Sequence, residues 1–487
     1  MKHLFVFLLL IGNVALAQND AYKFQITGAE DTVIYLANYY GEKLYYADTA
    51  YTDAEGKFSF EAIDSSLEGK YAVVAPGPRY FELVIADGEN IRMKTDTANL
   101  TGNMEVLESV NNTIMYDYIK YLTAKKEQRE SLVAKLEENK DKPKATEKIK
   151  EQYSTLNAEV LDYQKSIVEK YPNKFGAHEI NMSIDPEVPE ELRENREAGY
   201  YWFKEHYFDH IDLTDDRIVR TPIYHTKLVN FLNKTLVQTP DTLIPAIDKL
   251  IAQMDPNSEL FKYTVHYTTY NFETSKIMGL DEVFVHMVDT YYRTGKAHWM
   301  DEEKLKNILE KADSKKKTLI GKTAPDLTLA DTTGENWISI KKDINTEYVV
   351  LFFYDPDCGH CKKETPLLVD FFKNYEDDDL AIYAVSSDNS QKWTKFIEKN
   401  EMNFYNVSIP QEAYESADFA TRLITTGKTN YESLKFQETF DIFSTPKIFV
   451  LDKNRVIRAK DIGVEQIGDF LERFKEAESK KKNAQSN

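Results

Sequence analysis

Hydrophobic and polar residues change rhythm twice along this chain. From about residue 22 to residue 106 the apolar positions come in short runs, such as Val33-Ile34-Tyr35-Leu36, Lys57-Phe58-Ser59-Phe60 and Tyr71-Ala72-Val73-Val74, parted by turn clusters such as Asp53-Ala54-Glu55-Gly56. Short apolar-rich segments bounded by Gly and Asp are strand signals. They predict an all-β sandwich over residues 18–108. The Asp53 cluster opens like a calcium loop but lacks the later ligands of an EF-hand, and it reads as a hairpin turn.

Beyond residue 109 the period becomes helical. Ile149, Tyr153, Leu156, Val160, Tyr163 and Ile167 are spaced four, three, four, three, four, which puts all six on one helical seam. Ile119, Leu122, Val133 and Leu136 supply a facing stripe, and the charged stretch 137–144 with Pro143 forms the turn of a long antiparallel hairpin. Residues 109–315 are expected to be a helical domain without internal repeats. Its Lys-rich end, residues 311–317, reads as a linker or helix end.

The third rhythm covers residues 316–478. An apolar run at 348–354 has the character of a strand buried on both faces. A helix follows it, then a strand at 380–386, a helix at 390–400, strands at 447–451 and 456–459, and a helix at 464–478. Alternating strands and helices predict an α/β domain around a mainly parallel sheet. Polar residues 479–487 are expected to be a disordered tail.

Charge and the first residues narrow the setting. A net charge of -20 disfavours nucleic acid and anionic membranes as partners. Met1-Lys2-His3, an apolar run over 4–11 and Ala15-Leu16-Ala17 form the three parts of a signal peptide, with cleavage expected after Ala17 (residues 1–17). With no cysteine at that end a lipid anchor is not expected. The mature protein is expected to be periplasmic or secreted, without membrane insertion.

Only two cysteines occur, Cys358 and Cys361, in Cys358-Gly359-His360-Cys361. A pair at this spacing reads as a unit. At the start of the helix after the 348–354 strand, Cys358 gains thiolate character from unpaired N–H groups and the helix dipole. Cys361, one turn on, is the more buried resolving thiol. A zinc site lacks further ligands, c-type haem attachment fails because Lys362 stands where His is needed, and a structural disulfide would close too short a loop to stabilise much. No cofactor or metal is implied. His206 and His210, four apart in an aromatic run, lack a third ligand and read as helix-face histidines.

Residues 320–478 resemble the exported TlpA/ResA-like thiol–disulfide oxidoreductases of the thioredoxin fold. The resemblance rests on Gly321-Lys322-Thr323-Ala324-Pro325-Asp326, on Phe352-Phe353-Tyr354-Asp355-Pro356-Asp357-Cys358-Gly359-His360-Cys361-Lys362-Lys363-Glu364-Thr365-Pro366, and on Ser444-Thr445-Pro446. It implies that Pro446 is a cis proline facing the cysteines, that Thr445 offers backbone hydrogen bonds to an extended substrate, and that Pro366 kinks the helix. Glu364 matches an acidic residue that relays the resolving thiol's proton, or else it complements the helix dipole. The sandwich and helical parts resemble N-terminal regions of unknown function in multidomain exported thioredoxin-like proteins.

One departure concerns charge: Asp357 stands where many relatives have Trp, and Asp355 lies nearby, so both are expected to oppose the thiolate, while a protonated His360 favours it. The expected activity is reduction or isomerisation of disulfides in exported proteins, with an unidentified electron donor. Two alternatives stand beside it. A peroxiredoxin-like peroxidase shares Ala324-Pro325-Asp326 but wants Thr or Ser where Asp355 stands. A binding or scaffold protein would use the redox domain only as an accessory.

Overall fold

A computed structural model describes residues 22–77, 79–375, 377 and 379–485; the expected signal peptide lies outside them. Two compact units form. One holds the described part of Met1–Leu236 together with Ala252–Tyr263, and the other holds Val237–Ile251 with the described part of Thr264–Asn487.

The first unit begins with eight strands: β1 (Tyr22–Thr27), β2 (Val33–Tyr40), β3 (Lys43–Tyr51), β4 (Lys57–Phe60), β5 (Gly69–Ala75), β6 (Arg79–Ile85), β7 (Ile91–Asp96) and β8 (Glu105–Glu108). They make two four-stranded sheets, ordered β4-β1-β7-β8 and β3-β2-β5-β6. Alternation within the strands supplies the core: Phe24 of β1 and Phe81 of β6 are buried, with ring centroids 6.2 Å apart across the two sheets. The Asp53 turn is tight but is not the expected hairpin: it carries the chain from β3, paired with β2 in one sheet, to β4, paired with β1 in the other, so it crosses between the sheets. Its carboxylate accepts the N–H groups of Glu55 at 2.9 Å and Lys57 at 2.8 Å, and Gly56 takes the left-handed φ of 72° that the turn needs.

Helices α1 (Val110–Glu138) and α2 (Pro143–Lys170) form the expected hairpin. Ser109 caps α1 by accepting the Asn112 N–H, and Pro143 at the first turn starts α2 where its missing N–H costs nothing. Ile149, Leu156 and Ile167 of the seam are buried, with Tyr153, Val160 and Tyr163 half-buried between them. Val133 departs from the expected stripe: it is 50% exposed, and its neighbour Leu132 is the half-buried one. His206 bonds Asp209 at 2.5 Å and stacks on Trp202.

In the second unit, helix α3 (Glu302–Lys317) ends in Lys315, Lys316 and Lys317, cations that suit a helix C-terminus. The C-terminal strands are β9 (Thr328–Asp331), β10 (Trp337–Ser339), β11 (Tyr348–Tyr354), β12 (Leu380–Ser386), β13 (Tyr405–Ser408), β14 (Lys447–Leu451) and β15 (Ile457–Lys460), in the order β10-β9-β13-β12-β11-β14-β15. Only β11, β12 and β13 run parallel; the outer strands pair antiparallel. The sheet is therefore mixed rather than mainly parallel: the β9–β10 and β14–β15 connections are tight turns, which join antiparallel neighbours, and β9 and β14 also run antiparallel to β13 and β11. Every residue of β11 is buried. Val350, Phe352 and Tyr354 face one apolar cluster, whereas Val349, Leu351 and Phe353 face the other. Helices α4 (Gly359–Asn374), α5 (Gln391–Asn400) and α6 (Ile467–Gln485) complete the layers. Helix α6 continues to Gln485, into the segment expected to be a disordered tail, where Lys480 pairs with Glu476 one turn back.

Two buried ion pairs join helical residues to this sheet and to the loop before β14 within the second unit. Lys460 of β15 pairs with Asp281 and donates to the Thr318 carbonyl; Lys315 of α3 pairs with Asp441 at 2.8 Å. Removing one member of a buried pair leaves the other charge stranded. Lys460→Met is therefore expected to lower the stability of this unit by about 3–5 kcal/mol, read by urea unfolding followed by tryptophan fluorescence; an unchanged midpoint contradicts the role of the pair.

Candidate active site

The two cysteines lie where β11 hands over to α4. Asp355-Pro356-Asp357 makes the turn, closed by the Cys358 N–H donating to the Asp355 carbonyl at 3.1 Å. Cys358 is the N-cap of α4, with extended backbone, and its sulfur accepts the Cys361 N–H at 3.4 Å. A thiol thus occupies the position usually held by a Ser or Asp oxygen. Both cysteines are free thiols, Cys358 half-buried and Cys361 buried.

Their environments push the two thiols apart. Partial burial acts to raise the Cys358 pKa, but the backbone N–H groups of Cys361 and His360 and hydrogen bonds with the Thr445 and Cys361 side chains outweigh it, so the net displacement is below an ordinary thiol. Burial pushes Cys361 up to about 12, an effect that the Asp355 backbone and Thr445 only partly counter. One sulfur is set to ionise while the other keeps its proton.

The Thr445-Pro446 peptide is cis, and the Thr445 carbonyl lies 3.1 Å from the Cys358 sulfur, accepting its S–H. The structure thereby brings together four of the five residues singled out from the sequence: Cys358, Cys361, Thr445 and Pro446. Glu364 shares the Cys361 face of α4 one turn on. It is half-buried, and its carboxylate accepts the Val464 N–H at 3.3 Å. Pro366 lies inside α4.

The acidic residues beside the pair are both held by partners. Asp357 bonds Lys392 at 2.6 Å, with Lys362 4.0 Å away, and these cations hold its carboxyl below the usual carboxylate range. Asp355 is occupied by the Ser387 hydroxyl and the Asp357 N–H, both at 2.7 Å. Their opposition to the Cys358 thiolate is offset, and the net displacement of that thiol is downward. Asp355 also stands where a peroxidatic site wants a hydroxyl donor, and its oxygens accept rather than donate.

Lys392 and Ser387 escaped the sequence reading because both come from the β12–α5 segment, about 30 residues from the motif. So did Asp441, which is buried, has φ 57°, and pairs with Lys315 while its carbonyl accepts Lys447 at 2.8 Å. A lone Asp in an aromatic stretch carries no signal of that role.

Residues 320–460 match the AhpC/TSA family, and residues 134–315 match a domain of unknown function (DUF5106). The thiol-disulfide oxidoreductase ResA of Bacillus cereus is 28% identical over 160 residues, covering 33% of this chain and 79% of that protein. A crystallised domain of a possible thiol-disulfide isomerase from Cytophaga hutchinsonii is 33% identical, covering 33% of this chain and 97% of its own, with a TM-score of 0.27. A thioredoxin-like protein from Bacteroides caccae is 17% identical over 59% of this chain and 97% of its own, with a TM-score of 0.42. The C-terminal part of the chain is an AhpC/TSA-family domain of thioredoxin-like fold.

Alkylation of Cys358 by iodoacetamide in the reduced protein, followed against pH, is expected to have its midpoint below that of an ordinary thiol. Lys392→Ala is expected to move that midpoint upward, because Asp357 then faces the sulfur without its counter-charge. A wild-type midpoint at or above the ordinary thiol value contradicts this electrostatic picture.

Proposed function

From that AhpC/TSA-family domain and its two unlike thiols, we propose that this protein is a thiol–disulfide oxidoreductase that reduces or isomerises disulfides of exported proteins by a Cys358/Cys361 dithiol cycle. The observation that carries the reading is the split between the capping thiol, displaced downward, and the buried thiol, pushed up to about 12.

The cycle follows from that split. The Cys358 thiolate attacks one sulfur of a substrate disulfide, forming a mixed disulfide and releasing the other substrate sulfur as a thiolate. An extended substrate segment pairs with the backbone at Thr445 beside Pro446. Cys361 then loses its proton and attacks the Cys358 sulfur, which frees the second substrate thiolate and leaves an internal disulfide. Two electrons pass to the substrate, and a separate donor of two electrons restores the dithiol.

Because Cys361 is held protonated, the second step needs a base. In this cycle Glu364, one turn along α4, takes that proton, directly or through water. The substrate leaves only after this attack, so the step also sets how long a mixed disulfide persists.

Residues 1–17, with the three parts of a signal peptide, support an exported setting. Among the described residues no helix is long and apolar enough to cross a membrane. The direction of electron flow follows the donor, which is unidentified.

Cys361→Ala is expected to accumulate partner proteins bound to Cys358 when it is expressed with its signal peptide. These species should appear by mass spectrometry after acid quenching and disappear on reduction, and Cys358→Ser should trap none. Equal trapping by Cys358→Ser, or none by Cys361→Ala, contradicts the cycle.

A further inference from the structure

Next to the cysteine pair stands a side chain that the cycle above leaves without a task. Phe443 is 85% exposed, the highest value for a large hydrophobic side chain among the described residues. A lone exposed apolar residue needs no explanation by itself. This one is distinguished by how firmly its neighbours are fixed and by where that fixes it.

On its N-terminal side, Asp441 is buried, in the left-handed region at φ 57°, and held by Lys315 through its carboxylate and by Lys447 through its carbonyl. Ile442 donates its N–H to the Gln437 carbonyl at 2.8 Å and packs against the apolar cluster under β11. On its C-terminal side, Thr445 sits 3.1 Å from the attacking sulfur. The segment between these anchors has no slack to fold Phe443 inward, so its ring stays in solvent. Two residues span at most roughly 7 Å of chain, so the Phe443 Cα lies within that distance of the residue that faces Cys358. A substrate that pairs with the backbone at Thr445 and continues toward residue 443 comes within reach of this exposed side chain.

We propose that Phe443 is a specificity-determining residue, docking an apolar side chain about two positions from the substrate cysteine and so favouring disulfides in unfolded polypeptide. The inference rests on the oxidoreductase reading and narrows its substrate class. Apolar residues flanking a cysteine are buried in most folded proteins and accessible in unfolded or mispaired ones. The ring's contact with such a residue removes apolar area from water on both sides, and the contact is lost when the substrate offers a polar residue there.

The test uses the full-length protein, reduced beforehand and mixed with excess substrate, so that one turnover is read without a donor. Three disulfides are compared: bis(2-hydroxyethyl) disulfide, and two linear peptides whose single cysteine is disulfide-bonded to 2-mercaptoethanol and which differ only in carrying Leu or Ser two positions away. The wild-type protein is expected to reduce the Leu peptide about tenfold faster than the Ser peptide at low substrate. Phe443→Ser, a change at an exposed position, is expected to bring that ratio close to one and to leave the rate on bis(2-hydroxyethyl) disulfide unchanged. A wild-type ratio near one, a ratio that survives in Phe443→Ser, or a matching loss on bis(2-hydroxyethyl) disulfide overturns the proposal. Failure of the wild-type protein on all three substrates overturns the oxidoreductase reading itself.

Discussion

A backbone N–H donated by Cys361 to the Cys358 sulfur, 3.4 Å away, ties the chemistry of this protein to its fold. It exists only if a helix begins at Gly359, and the helix begins there only because β11 stops at Tyr354 and the Asp355-Pro356-Asp357 turn delivers Cys358 as its cap. The same N-terminus stabilises negative charge on the first thiol. One helical turn later, the second thiol is inside the protein, where charge is costly. A single geometric fact thus gives two chemically equal residues unequal acidities.

The rest of the domain serves to keep that junction rigid. Strand β11 is buried on both faces and pairs with β12 on one side and β14 on the other, so its end is fixed by two ladders of hydrogen bonds. Strand β14 also carries the Thr445-Pro446 segment up to the sulfur. Asp441, at the far end of that segment, is held by Lys447 and by Lys315 of α3. A helix N-terminal to the thioredoxin-like domain thus contributes to the setting of the site, which gives the second half of the helical region a physical connection with the chemistry.

How much of this could be read from the residues follows their spacing. The strands at 348–354, 380–386 and 447–451 and the hairpin around Pro143 were legible because their periodicity is long and their breakers are clear. The sheet's mixed pairing was not, since antiparallel edge strands three or four residues long leave little pattern. The short helices between β13 and β14, such as Gln411–Glu415 and Ala417–Thr425, are too brief for a helical period to emerge. At the site, the Cys358/Cys361 spacing and Thr445-Pro446 announced themselves, whereas the neutralising role of Lys392 and the anchoring role of Asp441 depend on contacts between distant segments. The charge of Asp357 was visible in the sequence; that Lys392 would sit 2.6 Å from it was not.

The proposed cycle requires Cys358 and Cys361 to interconvert between two thiols and one internal bond. Equilibrating the full-length protein with glutathione buffers of graded redox ratio, quenching with acid and counting free thiols by mass tests it directly. The expected result is a single reversible two-electron transition between a form with both thiols free and a form lighter by two hydrogens, with Cys358 linked to Cys361. A protein that keeps two free thiols across the whole range, or that takes up glutathione on Cys358 without ever closing the bond to Cys361, contradicts it.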